Sequence, residues 1–305
     1  MLLKIIQKPT NGFLGGPQYN KFTLHANGLS FNIEIQQSMT RIICIDSSES
    51  NNYKDYLDIF YTLETLLMIC DGHFIPTISA FEDDTEITSS WNKRRLPSYS
   101  SADFMLSVGN KLIDYSEIID EEMFMKWYDL KKELDLNFKM MLYCVSSVEM
   151  PKDIQCAFLT EAFSGIYELV IEKYVDIKIK KIPKGESELK HYLVALFERF
   201  GDIVFKDELA INKYEFAQIL VNSRNRIAHI SRKQNRVFLN GGESVMYLKK
   251  LSLLYRIIIF DQLELSQSLY QEKLAAAVCS INNQECMSNF IEKLKIIHEA
   301  QNNIH

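Results

Sequence analysis

From Pro151 onward, apolar side chains recur at helical spacing through one long segment after another, and this limits the fold more than any other feature of the chain. The segments read KDIQCAFLTEAFSGIYELVIEKYV, ESELKHYLVALFERFGDI, KYEFAQILVNSRNRIAHISRK and SVMYLKKLSLLYRIIIFDQLEL, followed by shorter helical pieces. A helix with one apolar face must bury it against a neighbour, and short connections between such helices favour an up-and-down bundle. Pro151 is the expected boundary of that bundle, because the residue before a proline is steered away from helix.

Before it the period differs. Residues 1–50 read as a small β-rich module: KFTLHANGLSFNIEIQQ places two β-type runs around a turn-forming Ala-Asn-Gly, and RIICID follows as a third run. At Tyr53 the spacing becomes helical, with Tyr56, Ile59, Phe60, Leu63, Leu66 and Leu67 on one face and Gly72 as the stop. FIPTISAFEDDTEITSSWNKRRLPSYSS reads as irregular, and helix resumes near Ile118. The expected architecture is mainly α, α+β overall, in three parts: a β module at 1–50, a mostly helical region at 51–150 and a helical bundle at 151–305.

The third long segment holds a local anomaly. The formal net charge is -6, yet VNSRNRIAHISRKQNR carries Arg224, Arg226, Arg232, Lys233 and Arg236 with no acid, and His229 in its midst. The overall acidity argues against a protein that coats nucleic acid non-specifically, and it leaves room for a local basic site. At 100° per residue, Phe216, Ile219, Leu220, Ile227 and Ile230 share the core-facing arc. Asn225 and His229, four apart, share a face on the other side, and Arg224 lies on the flank. On an ideal helix Arg224 and His229 diverge by about 140°. Convergence needs a curled arginine, a helix that starts within the segment, or a second copy of the chain.

Those groups suit phosphodiester chemistry. Imidazole exchanges a proton near neutral pH. A guanidinium stabilises the extra charge of a phosphorane-like transition state. RNA brings its own nucleophile in the 2′-OH, and the segment lacks the carboxylates of a two-metal nuclease. A solvated basic helix face is the competing structural reading of the same residues.

Arg224, Asn225 and His229 match the R-N-x-x-x-H form of the motif of HEPN domains, and the surrounding segments resemble the ApeA-like branch of that superfamily. CAFLTEAFSGIYE resembles its first helix, ELKHYLVALFERFGDI its second, FAQILVNSRNRIAHIS its motif helix and YLKKLSLLYRIIIFDQLEL the apolar helix that follows. The order agrees across 151–265. Where related first helices carry an acid after a small residue, this chain has Ser164, Gly165 and Ile166, so neither Glu161 nor Glu168 is assigned a role.

The resemblance implies a metal-independent endoribonuclease that leaves 2′,3′-cyclic phosphate ends and acts as a homodimer through facing motif helices. It also implies a setting in antiphage abortive infection or as a toxin, with an antitoxin or phage-derived trigger as a further partner. Arg224, Asn225 and His229 would be catalytic, and Arg226, Arg232, Lys233 and Arg236 would bind RNA. A non-catalytic HEPN-like module that binds RNA or a partner protein stands as the alternative. No cofactor and no metal are expected.

Other stretches point to less. No apolar run approaches a membrane span and the start lacks a secretory pattern, so a cytoplasmic protein without membrane partners is expected. The six cysteines form no C-x-x-C pair and are expected to be reduced and buried. FEDDTE reads as a solvated acidic loop, NGFLGGP as a turn without a P-loop lysine, and WNKRRLP as an exposed loop able, at most, to stack on single-stranded RNA.

Overall fold

The computed structural model of the protein describes residues 1–8, 17–50, 52–94, 111–145, 150–228 and 236–302. They divide into two units, one within residues 1–133, the other of Leu134–Val145 with residues 150–302.

The first unit is built on six antiparallel strands: β1 (Leu2–Gln7), β2 (Gln18–Ala26), β3 (Leu29–Gln37), β4 (Arg41–Asp46), β5 (Thr77–Glu82) and β6 (Thr85–Glu86), in the order β2-β3-β4-β1-β5-β6. Alternation sends Leu3, Ile5, Ile33, Ile35, Ile43 and Ile45 to one buried face. The expected hairpin closes through Asn27 and Gly28, both at positive φ (55° and 77°), the geometry a two-residue turn between twisted strands demands.

Helix α1 (Tyr53–Asp71) covers the buried face. Asn52 caps its start, and Gly72, at φ 81°, ends it by donating its N–H to Met68 O. Its ends are pinned by polar contacts: the Tyr56 hydroxyl donates to Ser50 O, in the connection after β4, at 2.9 Å, and Asp71 pairs with the buried Arg41 of β4 at 2.7 Å. The stretch expected to be irregular is more ordered than its sequence suggests. It forms β5, β6 and the short helix α2 (Thr88–Arg94), and FEDDTE is the β5–β6 turn, with Asp83 at φ 51°. Trp91 is 1% exposed and packs on Phe60 and Tyr61, so its indole belongs to the core and is not free to stack on a base. Arg95 to Pro97 of that stretch, and Asn11 to Gly16 of NGFLGGP, lie outside the described residues.

Helix α3 (Glu121–Val145) contributes Trp127, whose indole N–H donates to Thr62 O and Thr65 Oγ1. One turn on, Lys131 donates to Thr62 Oγ1 at 2.8 Å, and burial draws its pKa down to about 8 against the opposing pull of Asp58. An unfolded lysine keeps its proton to about 10.5. The unfolded chain therefore binds more protons between these values, and stability should rise with pH across that window. Lys131→Met is expected to flatten that rise and to stabilise the first unit at pH 7 by about 1–2 kcal/mol, read from urea unfolding at several pH values.

The second unit is helical: α4 (Lys152–Lys173), α5 (Glu188–Phe200), α6 (Lys206–Ala228), α7 (Gly241–Gln262), α8 (Gln271–Asn282) and α9 (Glu285–Asn302). These are the expected bundle segments and the closing shorter pieces, and the fold is mainly α with a small N-terminal antiparallel sheet. Helix α4 is apolar and long enough to cross a membrane by composition alone, unlike the reading above, but Leu159, Ala162, Phe163, Ile166 and Val170 are buried in this unit's core. Phe216 of α6 packs between Phe197 of α5 and Tyr247 of α7, each 5.2 Å away between ring centroids. Gly165 lets a second helix approach α4 closely. An added Cβ would come within 2.8 Å of the Asn137 amide nitrogen, which donates to Ala162 O.

Candidate active site

Arg224 and Asn225 lie in the last turns of α6. That helix is broken at Asn212, whose φ of -164° and ψ of 96° are not helical. The Asn212 side chain accepts the Glu215 N–H at 3.0 Å, so it caps a new helix starting at Lys213, where the apolar period also begins. Phe216, Ile219, Leu220 and Val221 anchor this piece in the core. The capping and the apolar anchor together fix the rotation at which Arg224 and Asn225 emerge.

The chain is then stitched back. The Asn222 side chain donates to Val237 O at 3.0 Å, Leu239 N–H donates to Ser223 Oγ at 2.8 Å, and the Arg226 guanidinium lies 4.0 Å from the Phe238 ring centroid. Val237, Phe238 and Leu239 thus lie beside the last turns of α6. His229, Arg232 and Lys233 lie outside the described residues. Arg226 and Arg236 are exposed.

Arg224 is held on two sides. Its Nε stands 2.6 Å from Glu161 Oε2, a charge pair too poorly aligned to count as a hydrogen bond, and its Nη1 donates to Asn225 Oδ1 at 2.8 Å. The Arg224 side chain is 25% exposed and that of Glu161 36%, so one edge of the guanidinium is engaged and solvent still reaches the group. Glu161, left without a role on sequence grounds, is the acid that meets the arginine. Its signal could not be local, since it lies on α4, two helices earlier. Phe158, 41% exposed, precedes it by one turn and gives the edge of the site an aromatic side chain.

The arrangement presents a fixed, partly solvated cation beside an amide, suited to bind and polarise a phosphate oxygen. Other chemistry finds less support. Among the described residues no three His, Cys, Asp or Glu side chains gather as metal ligands. Burial raises the Cys144 and Cys156 thiols to about 12, which removes them as nucleophiles at neutral pH. Cys279 is exposed, contrary to the expectation that the cysteines are buried. The histidines for which the sequence suggested no partner have them: His25 with Glu121, His73 with Asp71 O, His191 with Glu186 and His298 with Asn212, while His305 lies outside the described residues.

The family model of Apea-like HEPN matches residues 155–269, a span that begins in the first turn of α4, ends beyond α7 and contains Glu161, Arg224 and Asn225. No curated protein and no solved structure matches the chain.

Proposed function

From the match of residues 155–269 to the Apea-like HEPN family model, we propose that the protein is a metal-independent endoribonuclease acting where Arg224 and Asn225 emerge from α6. The observation that carries this reading is the Arg224 guanidinium held between Glu161 and Asn225, five residues before the motif histidine in the sequence.

In the proposed reaction the RNA 2′-OH attacks the adjacent phosphorus, the bond to the 5′-oxygen breaks, and a 2′,3′-cyclic phosphate and a 5′-OH result. His229 moves the proton, either from the 2′-OH or to the departing 5′-oxygen. Arg224 stabilises the pentavalent phosphate, and Asn225 orients the phosphate or the imidazole. Arg226, Arg232, Lys233 and Arg236 contact the RNA backbone. A second copy of the chain, packed through the motif helices, completes the cleft. The setting proposed is cytoplasmic antiphage defence or toxicity, released by a phage-derived trigger or restrained by an antitoxin.

The test is cleavage by purified protein in EDTA, on RNA and on DNA of the same sequence, with analysis of the product ends. RNA should be cut to cyclic phosphate and 5′-OH termini while DNA survives, because DNA lacks the internal nucleophile. Loss of cleavage on chelation, or efficient cutting of DNA, defeats the mechanism. RNA that is bound yet stays intact points to the non-catalytic alternative.

A further inference from the structure

The first unit contains a cavity of about 120 Å³ between the β2–β3 hairpin, α1 and the first half of α3. That is somewhat smaller than the roughly 150 Å³ that accommodates benzene in an engineered protein core. Its floor is apolar, made by Phe31, Ile59 and Phe124, each under 7% exposed. Its mouth is acidic. Asp55 and Asp58 both line it, three apart on one face of α1.

Just outside, Glu121 accepts from His25 twice, from the backbone N–H at 2.8 Å and from the ring at 2.9 Å, and these bonds hold its carboxyl below the usual range. The Asp55 carboxylate is oriented by Ser50 Oγ and the Asn52 amide, which leaves it further acceptor capacity. Of the nearby lysines, Lys131 donates to Thr62 Oγ1 and is also drawn by the Asp58 charge, and Lys132 lies 3.8 Å from the centroid of the Tyr128 ring. Tyr128 lines the cavity, so the rim already includes an aromatic ring that receives a cation.

An apolar floor about one small side chain in size, under a mouth of carboxylates and an electron-rich ring, repels phosphates and carboxylates and suits the opposite charge. We propose that this cavity binds a small organic cation, an alkylguanidinium or alkylammonium with a tail of about four carbons. The tail rests on Phe31, Ile59 and Phe124, and the head lies between Asp55 and Asp58. The site is independent of the ribonuclease reading and gives the first unit a ligand of its own.

The test is ligand-observed NMR and calorimetry on the full chain with three probes of similar shape: butylguanidinium, its neutral analogue butylurea, and pentanoate. Butylguanidinium should bind with a dissociation constant in the millimolar range, ordinary for so few atoms. Butylurea should bind at least about fivefold more weakly, and pentanoate not at all. Asp58 is exposed, so Asp58→Asn should leave the chain folded and shift the urea midpoint only by the lost pull of Asp58 on Lys131. The same substitution should weaken butylguanidinium about fivefold and leave butylurea as it was. The proposal is overturned if no probe binds at about 50 mM, if butylurea matches butylguanidinium, or if Asp58→Asn makes no difference.

Discussion

Arg224→Ala is expected to lower RNA cleavage by about 10²–10³-fold, the effect of removing one preorganised donor from a developing oxyanion. The loss should fall on the single-turnover rate more than on RNA binding, because Arg226 and Arg236 remain to hold the backbone. Stability should change by less than about 1 kcal/mol, since the pair with Glu161 is partly solvated on both sides.

Two companion variants separate a catalytic arginine from a structural one. Arg224→Lys keeps the charge and loses the planar fork, so it should recover little activity. Glu161→Ala keeps the guanidinium and frees it from its anchor, so it should cost less than Arg224→Ala. His229→Ala should fall by about 10²–10⁴-fold if it carries the proton, and the double variant should be little worse than either single one, as expected of groups that act together. Arg224→Ala with activity within about threefold of wild type, or with an unfolding midpoint shifted as far as its rate, would reduce Arg224 to a pin between α4 and α6.

What could be read from the chain depends on the range of the interaction that produces it. Helix α1 is legible because its signals are local: the period from Tyr56 to Leu67 and the stop at Gly72 lie within one segment. The hairpin at Asn27-Gly28 is legible for the same reason. Strands β5 and β6 were not, because the short run at Thr77–Glu82 gains its order from pairing with β1, some seventy residues earlier. The same division runs through the site. Arg224 and Asn225 stand out by spacing, whereas Glu161 becomes the partner of Arg224 only after α4 and α6 pack, and no period reports that. Trp91 shows the converse error. Its basic neighbours suggested an exposed face, but the ring is consumed by Phe60 and Tyr61.

Glu208→Ala is expected to destabilise the second unit by about 3–5 kcal/mol, the cost of leaving a buried charge without its partner. Glu208 is fully buried at the start of α6, where its Oε1 accepts from Lys250 Nζ and from the Tyr247 hydroxyl, both on α7. Lys250 also reaches Asn282 of α8, so three helices meet on one ion pair. Burial favours the neutral forms here, drawing the Lys250 pKa down and raising that of Tyr247. Alanine removes the acid and leaves the ammonium in an aromatic cage of Phe205 and Tyr247. Glu208→Leu combined with Lys250→Met removes both charges and keeps the volume, so it should unfold within about 1–2 kcal/mol of wild type or later. With two units in one chain, urea unfolding should show the shift only in the transition of the helical unit. If single and double variants are destabilised equally, the loss is one of packing volume and not of charge. If the double variant is stable yet cuts RNA as wild type does, the network serves only to assemble α6 and α7, and catalysis begins beyond the Asn212 break.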